Sequence, residues 1–119
     1  MTANEYQALA MRTASPKCHN LSNVGLGLAG ESGEVADAIK KHLHQGHPLD
    51  KMKIAEELGD VVWYISLACS VIGFSFDDIL RMNIAKLKRR YPNGFEAERS
   101  IHREEDECES CQIRPVSEA

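Results

Sequence analysis

A chain of 119 residues has room for one domain of ordinary size, and its 43% hydrophobic and 27% charged residues are the balance of a folded globular protein rather than a disordered one. No stretch approaches the roughly 18 consecutive apolar residues of a membrane span, so no membrane partner is expected. The net charge of −4 is unevenly spread: residues 96–119 hold eight acids and three bases, residues 1–95 ten acids and eleven bases. Duplex nucleic acid is therefore not an expected partner, because such binding relies on neutralising many phosphates.

The first residues contain Glu5 and lack the continuous apolar run of a secretory signal, which makes the cytoplasm the expected location. Thr2 and Glu5 instead form a capping box that opens a helix to about Thr13, stopped at Ser15-Pro16. Asn20 caps a second helix, in which Leu21, Val24, Leu28, Val35, Ala38 and Ile39 recur at helical spacing. Its segment GLGLAGESG sacrifices helix propensity, about 1 kcal/mol per glycine relative to alanine, which implies a close approach by another backbone or a ligand.

Gly46-His47-Pro48 is the clearest turn. Asp50 then caps a third helix over about 51–72, with Ile54, Leu58, Val61, Val62, Ile65 and Ile72 on its apolar side and Gly73 as its stop. Ser75 and Asp78 open a fourth helix, which runs to about Arg90 and ends at Tyr91-Pro92-Asn93-Gly94. Strand signals are scarce. The expected fold is all-α, a four-to-five-helix bundle over residues 1–95, with 96–119 as an acidic, flexible tail. Helices so poor in aromatic residues bury little alone, and an oligomer is expected to complete the core.

Of the four cysteines, Cys69 lies in an apolar run and reads as a buried thiol. Cys108 and Cys111 form one CxxC pair in the tail, and a structural zinc site normally needs a second pair. His42 and His44, near the turn, point to different helix faces and make a poor shared metal site.

The residues that suggest chemistry are Glu31 and Glu34 on the second helix and Glu57 and Asp60 on the third. Each pair is spaced i, i+3, on one side of its helix. The pairs are also symmetric about the turn, since 31 and 60 share the midpoint 45.5 with 34 and 57. In an antiparallel hairpin, Glu31 is then level with Asp60 and Glu34 with Glu57. Two like charges about 4 Å apart repel by about 4 kcal/mol at an effective dielectric near 20, so four carboxylates at one level call for a cation. All-oxygen ligands favour Mg²⁺, with Mn²⁺ as a substitute. On the fourth helix Asn83, Lys86 and Arg90 share a face and suit phosphate oxygens, and Tyr64, one turn after Asp60, offers a hydroxyl on the same side. The plain alternative is that the acids lie on solvated faces and the bases only offset a helix dipole.

GLAGESGEVADAIKK, then AEELGDVVWYI, then NIAKLKRRYPNGF, together spanning roughly residues 20–95, resemble the MazG-type all-α nucleoside triphosphate pyrophosphohydrolases. The shared signature is ExxE, a gap (22 residues here, between Glu34 and Glu57), then ExxD. The resemblance implies Mg²⁺-dependent hydrolysis of (deoxy)nucleoside triphosphates between the α and β phosphates. It implies Glu31, Glu34, Glu57 and Asp60 as metal-binding and catalytic residues and Asn83 and Lys86 as phosphate contacts or supports of the acids, with Arg90 in its RYP ending; Arg90 and Tyr64 as substrate contacts come from the residue reading above. A homodimer or homotetramer is implied too. One departure is Gly30, where many members carry a further glutamate, a candidate general base. The related phosphoribosyl-ATP pyrophosphohydrolases share the acids. A non-enzymatic helical dimerisation or regulatory module with a structural cation is the alternative outside enzymology.

Overall fold

The computed structural model describes residues 1–103 and Val116, and the described residues are helical throughout, without a strand. The expected Cys108-Cys111 pair and most of the expected tail lie outside the described residues. Five α-helices follow in order: α1 (Ala3–Met11), α2 (Leu21–His44), α3 (Lys51–Ile72), α4 (Phe76–Arg90) and a short α5 (Ala97–Ile101). A 3-10 turn, Pro16–Cys18, joins α1 to α2. No single helix among the described residues is long and apolar enough to cross a membrane.

Local capping sets the starts. Thr2 Oγ1 accepts from the Glu5 N–H (3.1 Å), and Glu5 Oε2 accepts from the Thr2 N–H (2.6 Å). Asn20 Oδ1 accepts from the Asn23 N–H (2.7 Å), Asp50 Oδ1 from the Lys53 N–H (2.9 Å) and Ser75 Oγ from the Asp78 N–H (3.1 Å). Gly73 stops α3 in the left-handed region, with φ of 81°. Helix α1 ends two residues before the expected Thr13. There the Thr13 N–H and hydroxyl both donate to the Ala10 carbonyl, at 3.0 and 2.7 Å, and so close the helix with a tighter turn.

Helices α2 and α3 form an antiparallel hairpin, with α1 laid against α3 and α4. Gln7 on α1 fastens the α3–α4 corner. Its amide nitrogen donates to Ser70 Oγ (3.1 Å) and the Phe74 carbonyl (3.3 Å), and its oxygen accepts from the Phe76 N–H at the start of α4 (2.7 Å). Asn4 Oδ1 accepts from the Asp77 N–H (3.0 Å), so α1 satisfies two of the free amides at that helix start. The Tyr6 ring meets Phe76 edge-on at 6.4 Å. The apolar core among the described residues is small: Ala10, Val24, Leu67, Cys69 and Phe76 are buried, whereas Leu26, Leu58 and Ile84 are 75%, 49% and 53% exposed.

From Gly73 the chain turns sharply, and α4 leaves α3 at 99°. Leu80, Ile84 and Leu87, one stripe of α4, are exposed. The first residues of the expected tail form helix α5. Helix α5 sends the Arg99 guanidinium back to the carbonyls of Arg90 (2.6 Å) and Arg89 (3.5 Å), covering the open end of α4.

Candidate active site

The hairpin brings three carboxylates together. Ligand oxygens of Glu31 from α2 and of Glu57 and Asp60 from α3 all lie within 4.8 Å of one another. Glu57 is buried, Glu31 half-buried and Asp60 exposed, so the cluster lies in a wall open on one side. Glu31 is held above the ordinary carboxylate range, first by partial loss of water, then by the negative charges of Asp60, Glu57 and Glu34 and by a hydrogen bond with Glu57.

Glu34, the fourth acid, lies outside this group. Residues three apart on a helix are turned by about 60° from one another, and that rotation carries Glu34 to the exposed rim. It lines a cavity of about 160 Å³ with Asp37, Lys41, His47 and Lys53 at the turn end of the hairpin. Its charge is still felt by Glu31, Lys41 and Lys53.

Lys53, one turn before Glu57, forms an ion pair with Glu57 Oε1. The pair raises the lysine above its ordinary range, by its hydrogen bond first and its charge second. Lys41 is paired differently, with Asp37 Oδ2 at 2.6 Å, while Lys40 takes Asp37 Oδ1 at 2.8 Å. From α1, Tyr6 feels the charge of the site. Its hydroxyl is raised by burial first, then by the Asp60 charge. At the turn, His42 Nδ1 meets the His47 carbonyl at 2.9 Å.

Tyr64 stands next to the acids with a structural task. Its ring packs on the α2 backbone at Gly27, where an added Cβ would fall 2.0 Å from Tyr64 Cε1, and it meets Trp63 edge-on at 5.0 Å. This is the close approach that the glycine-rich segment implied, and it involves one glycine of the segment: a Cβ at Gly25, Gly30 or Gly33 meets nothing within 4 Å. Trp63 Nε1 donates to Thr13 Oγ1 at 2.8 Å, which ties the end of α1 to the middle of α3.

Asn83, Lys86 and Arg90 are not gathered into the carboxylate group of their own chain. Asp60 and Lys86 each stand thirteen residues from Gly73, about 20 Å along their helices, and the sharp bend leaves them roughly 25 Å apart. Among the charges acting on Glu31, none comes from α4.

Lys53 and Trp63 were not singled out from the sequence. The i, i+4 spacing of Lys53 and Glu57 was a legible signal. The bond of Trp63 with Thr13 spans fifty residues and has no local signature.

The residues that form the hairpin and α4 are those that a family model covers: the MazG nucleotide pyrophosphohydrolase domain matches residues 20–95. The chain belongs to this family. The match includes all four acids and the α4 cations. A curated relative, the Gene 37 protein of Mycobacterium phage L5, is 32% identical over 78 residues, which are 62% of this chain and 68% of that protein. No solved structure matches the chain significantly. An all-helical fold carrying a carboxylate cluster is what a MazG domain should present, and a divalent ion fits the donors. Ligands of a six-coordinate ion with bonds of about 2.1 Å lie about 3–4 Å apart, so oxygens within 4.8 Å need only a small contraction.

Proposed function

We propose that this MazG domain hydrolyses (deoxy)nucleoside triphosphates between the α and β phosphates, releasing a nucleoside monophosphate and pyrophosphate, with Mg²⁺ held by Glu31, Glu57 and Asp60. The observation that carries the reading is the convergence of those three carboxylates from two helices within a MazG match. All-oxygen donors select a hard ion, and Mn²⁺ is the natural substitute. When bound, the ion neutralises triphosphate charge and acts as a Lewis acid at phosphoryl oxygens.

The chain's own residues divide the remaining work. Glu57, buried and fixed by its neighbours, sets the geometry of the ligand group, and Asp60 presents the open side. Glu34 stands on the rim, outside the three-acid group, and takes the proton of the attacking water; this gives it the role that Gly30 leaves vacant. Lys86 and Arg90, with Asn83, stabilise charge on the leaving pyrophosphate. Their distance from the acids of their own chain, together with the exposed Leu80, Ile84 and Leu87 beside them, supports a homo-oligomer in which α4 of one copy serves the hairpin of another.

A pyrophosphate-release assay over canonical and damaged (deoxy)nucleoside triphosphates, with and without Mg²⁺, tests the reaction. Monophosphate and pyrophosphate from a subset, only with metal, is the expected result. Silence from folded, metal-loaded protein overturns it in favour of a helical regulatory module. Glu57→Gln should lower turnover by about 10²–10³-fold, the scale of losing one preorganised electrostatic group, with an unchanged helical circular-dichroism spectrum.

A further inference from the structure

Glu57 is the most buried of the acids, with 5% of its surface exposed, and two other carboxylates face it. A buried carboxylate needs a partner of opposite charge, and removing the partner of such a pair is strongly destabilising. The chain supplies that partner itself. Lys53 pairs with Glu57 Oε1 although the lysine side chain is half-exposed and has water within reach. Asp50 caps α3 through the Lys53 backbone N–H, which fixes the root of the side chain one turn from Glu57. The amine thus lies on the carboxylate that the proposed metal site uses.

We infer that Lys53 is a built-in counter-cation of the acid cluster: its amine stands on Glu57 when no metal is bound and is displaced when a divalent ion enters. This rests on the reading of the cluster as a metal site. Lys53 is a positioning residue, and its effect is competitive. A ligand that binds only the fraction of molecules with the carboxylate uncovered has its affinity lowered by that fraction, so a pair closed nine-tenths of the time weakens metal binding about tenfold. The same pair protects the metal-free fold from carboxylate repulsion. Lysine at this place keeps the empty site intact and sets a threshold for metal entry.

Lys41 is the natural control. It stands across the hairpin on the same cavity, carries the same charge and feels Glu34, but its amine is on Asp37 rather than on the cluster. The experiment is calorimetric titration of the full chain with MgCl₂ and with MnCl₂, for wild type, Lys53→Met and Lys41→Met, together with melting curves of each with and without metal. Lys53→Met should bind about tenfold more tightly than wild type, melt lower without metal, and regain the wild-type melting point at saturation. Lys41→Met should change affinity by less than about threefold, the effect of a screened surface charge. Equal shifts in both variants, or none in either, overturn the inference and leave the metal site standing. Absence of Mg²⁺ and Mn²⁺ binding by wild type overturns the metal site and the inference together. A second readout does not depend on the folding of any variant: NMR of the lysine side chains of wild type during the same titration. Lys53 signals should shift and sharpen as the amine is released while those of Lys41 stay in place, and an unmoved Lys53 at saturation overturns the inference.

Discussion

The α2–α3 hairpin and helix α4 are equally well signalled in the sequence, yet they stand in opposite conditions in the structure. The hairpin closes on itself: Tyr64 fills the gap over Gly27, and Glu31 meets Glu57 and Asp60 across the seam. Helix α4 is held at its root, where Gln7 and Asn4 bind the first amides, and at its end by Arg99, while the turns between carry Leu80, Ile84 and Leu87 in the open. The difference separates two kinds of chemistry. Carboxylates must converge to within a few ångströms, which two adjoining helices of one chain do well. Cations for a long, flexible triphosphate can come from farther away, including from a second copy.

The strongest way to break this contrast is to ask whether the two halves of the site belong to different chains. Glu57→Gln and Lys86→Ala should each be nearly inactive alone. In a dimer with trans contacts, a mixed pair keeps one intact site, combining the wild-type acids of one chain with the wild-type lysine of the other. Random mixing should therefore restore about a quarter of wild-type turnover. If α4 serves its own hairpin, every site in the mixture carries a lesion and activity stays near zero. Ile84→Asp, on the exposed stripe, gives the matching physical readout, a fall in sedimentation coefficient.

Stability should separate the regions next. Gly27→Ala forces the Tyr64 ring away from the α2 backbone and should cost about 1–3 kcal/mol, the range for overpacking a filled site. Gly30→Ala, three residues on, meets open space and should gain about 0.5–1 kcal/mol from helix propensity. Urea denaturation of both reads the difference, and equal effects would mean that the hairpin seam is loose.

Legibility follows the same division. Helix starts were readable because capping is local, and Thr2, Asn20, Asp50 and Ser75 all bond as their spacing implies. The hairpin register was readable too: Gly27 and Tyr64, in contact, share the 45.5 midpoint inferred from the acids. The inward direction of each acid was not, because a rotation of about 60° within each i, i+3 pair decides it and only packing fixes that angle. The direction of α4 was equally hidden. It depends on Gln7 meeting Ser70, Phe74 and Phe76 across more than sixty residues, and glutamine in a first helix announces nothing of the kind.

The smallest expected effect concerns the pH behaviour of the hairpin, where two acids of α2 should act with opposite sign. Asp37 is held down to about 2 by hydrogen bonds from Lys40 and Lys41, against 3.8 for an ordinary aspartate. Between those values the unfolded chain binds the extra proton, so this contribution is present above about pH 4 and is lost as pH falls towards 2. Asp37→Asn should flatten that acid limb, with little change at neutral pH because the pairs are solvent-screened. Glu31 is raised instead, by partial desolvation first and by its acidic neighbours next. Here the native state binds the extra proton, so stability falls as pH rises through the interval above the ordinary glutamate value of 4.5. Glu31→Gln should remove that decline and leave the Asp37 limb untouched. Melting curves of wild type and both variants from pH 2 to 8 resolve the two slopes, and a Glu31→Gln profile parallel to wild type above pH 4.5 would deny that the carboxylates of the hairpin face one another.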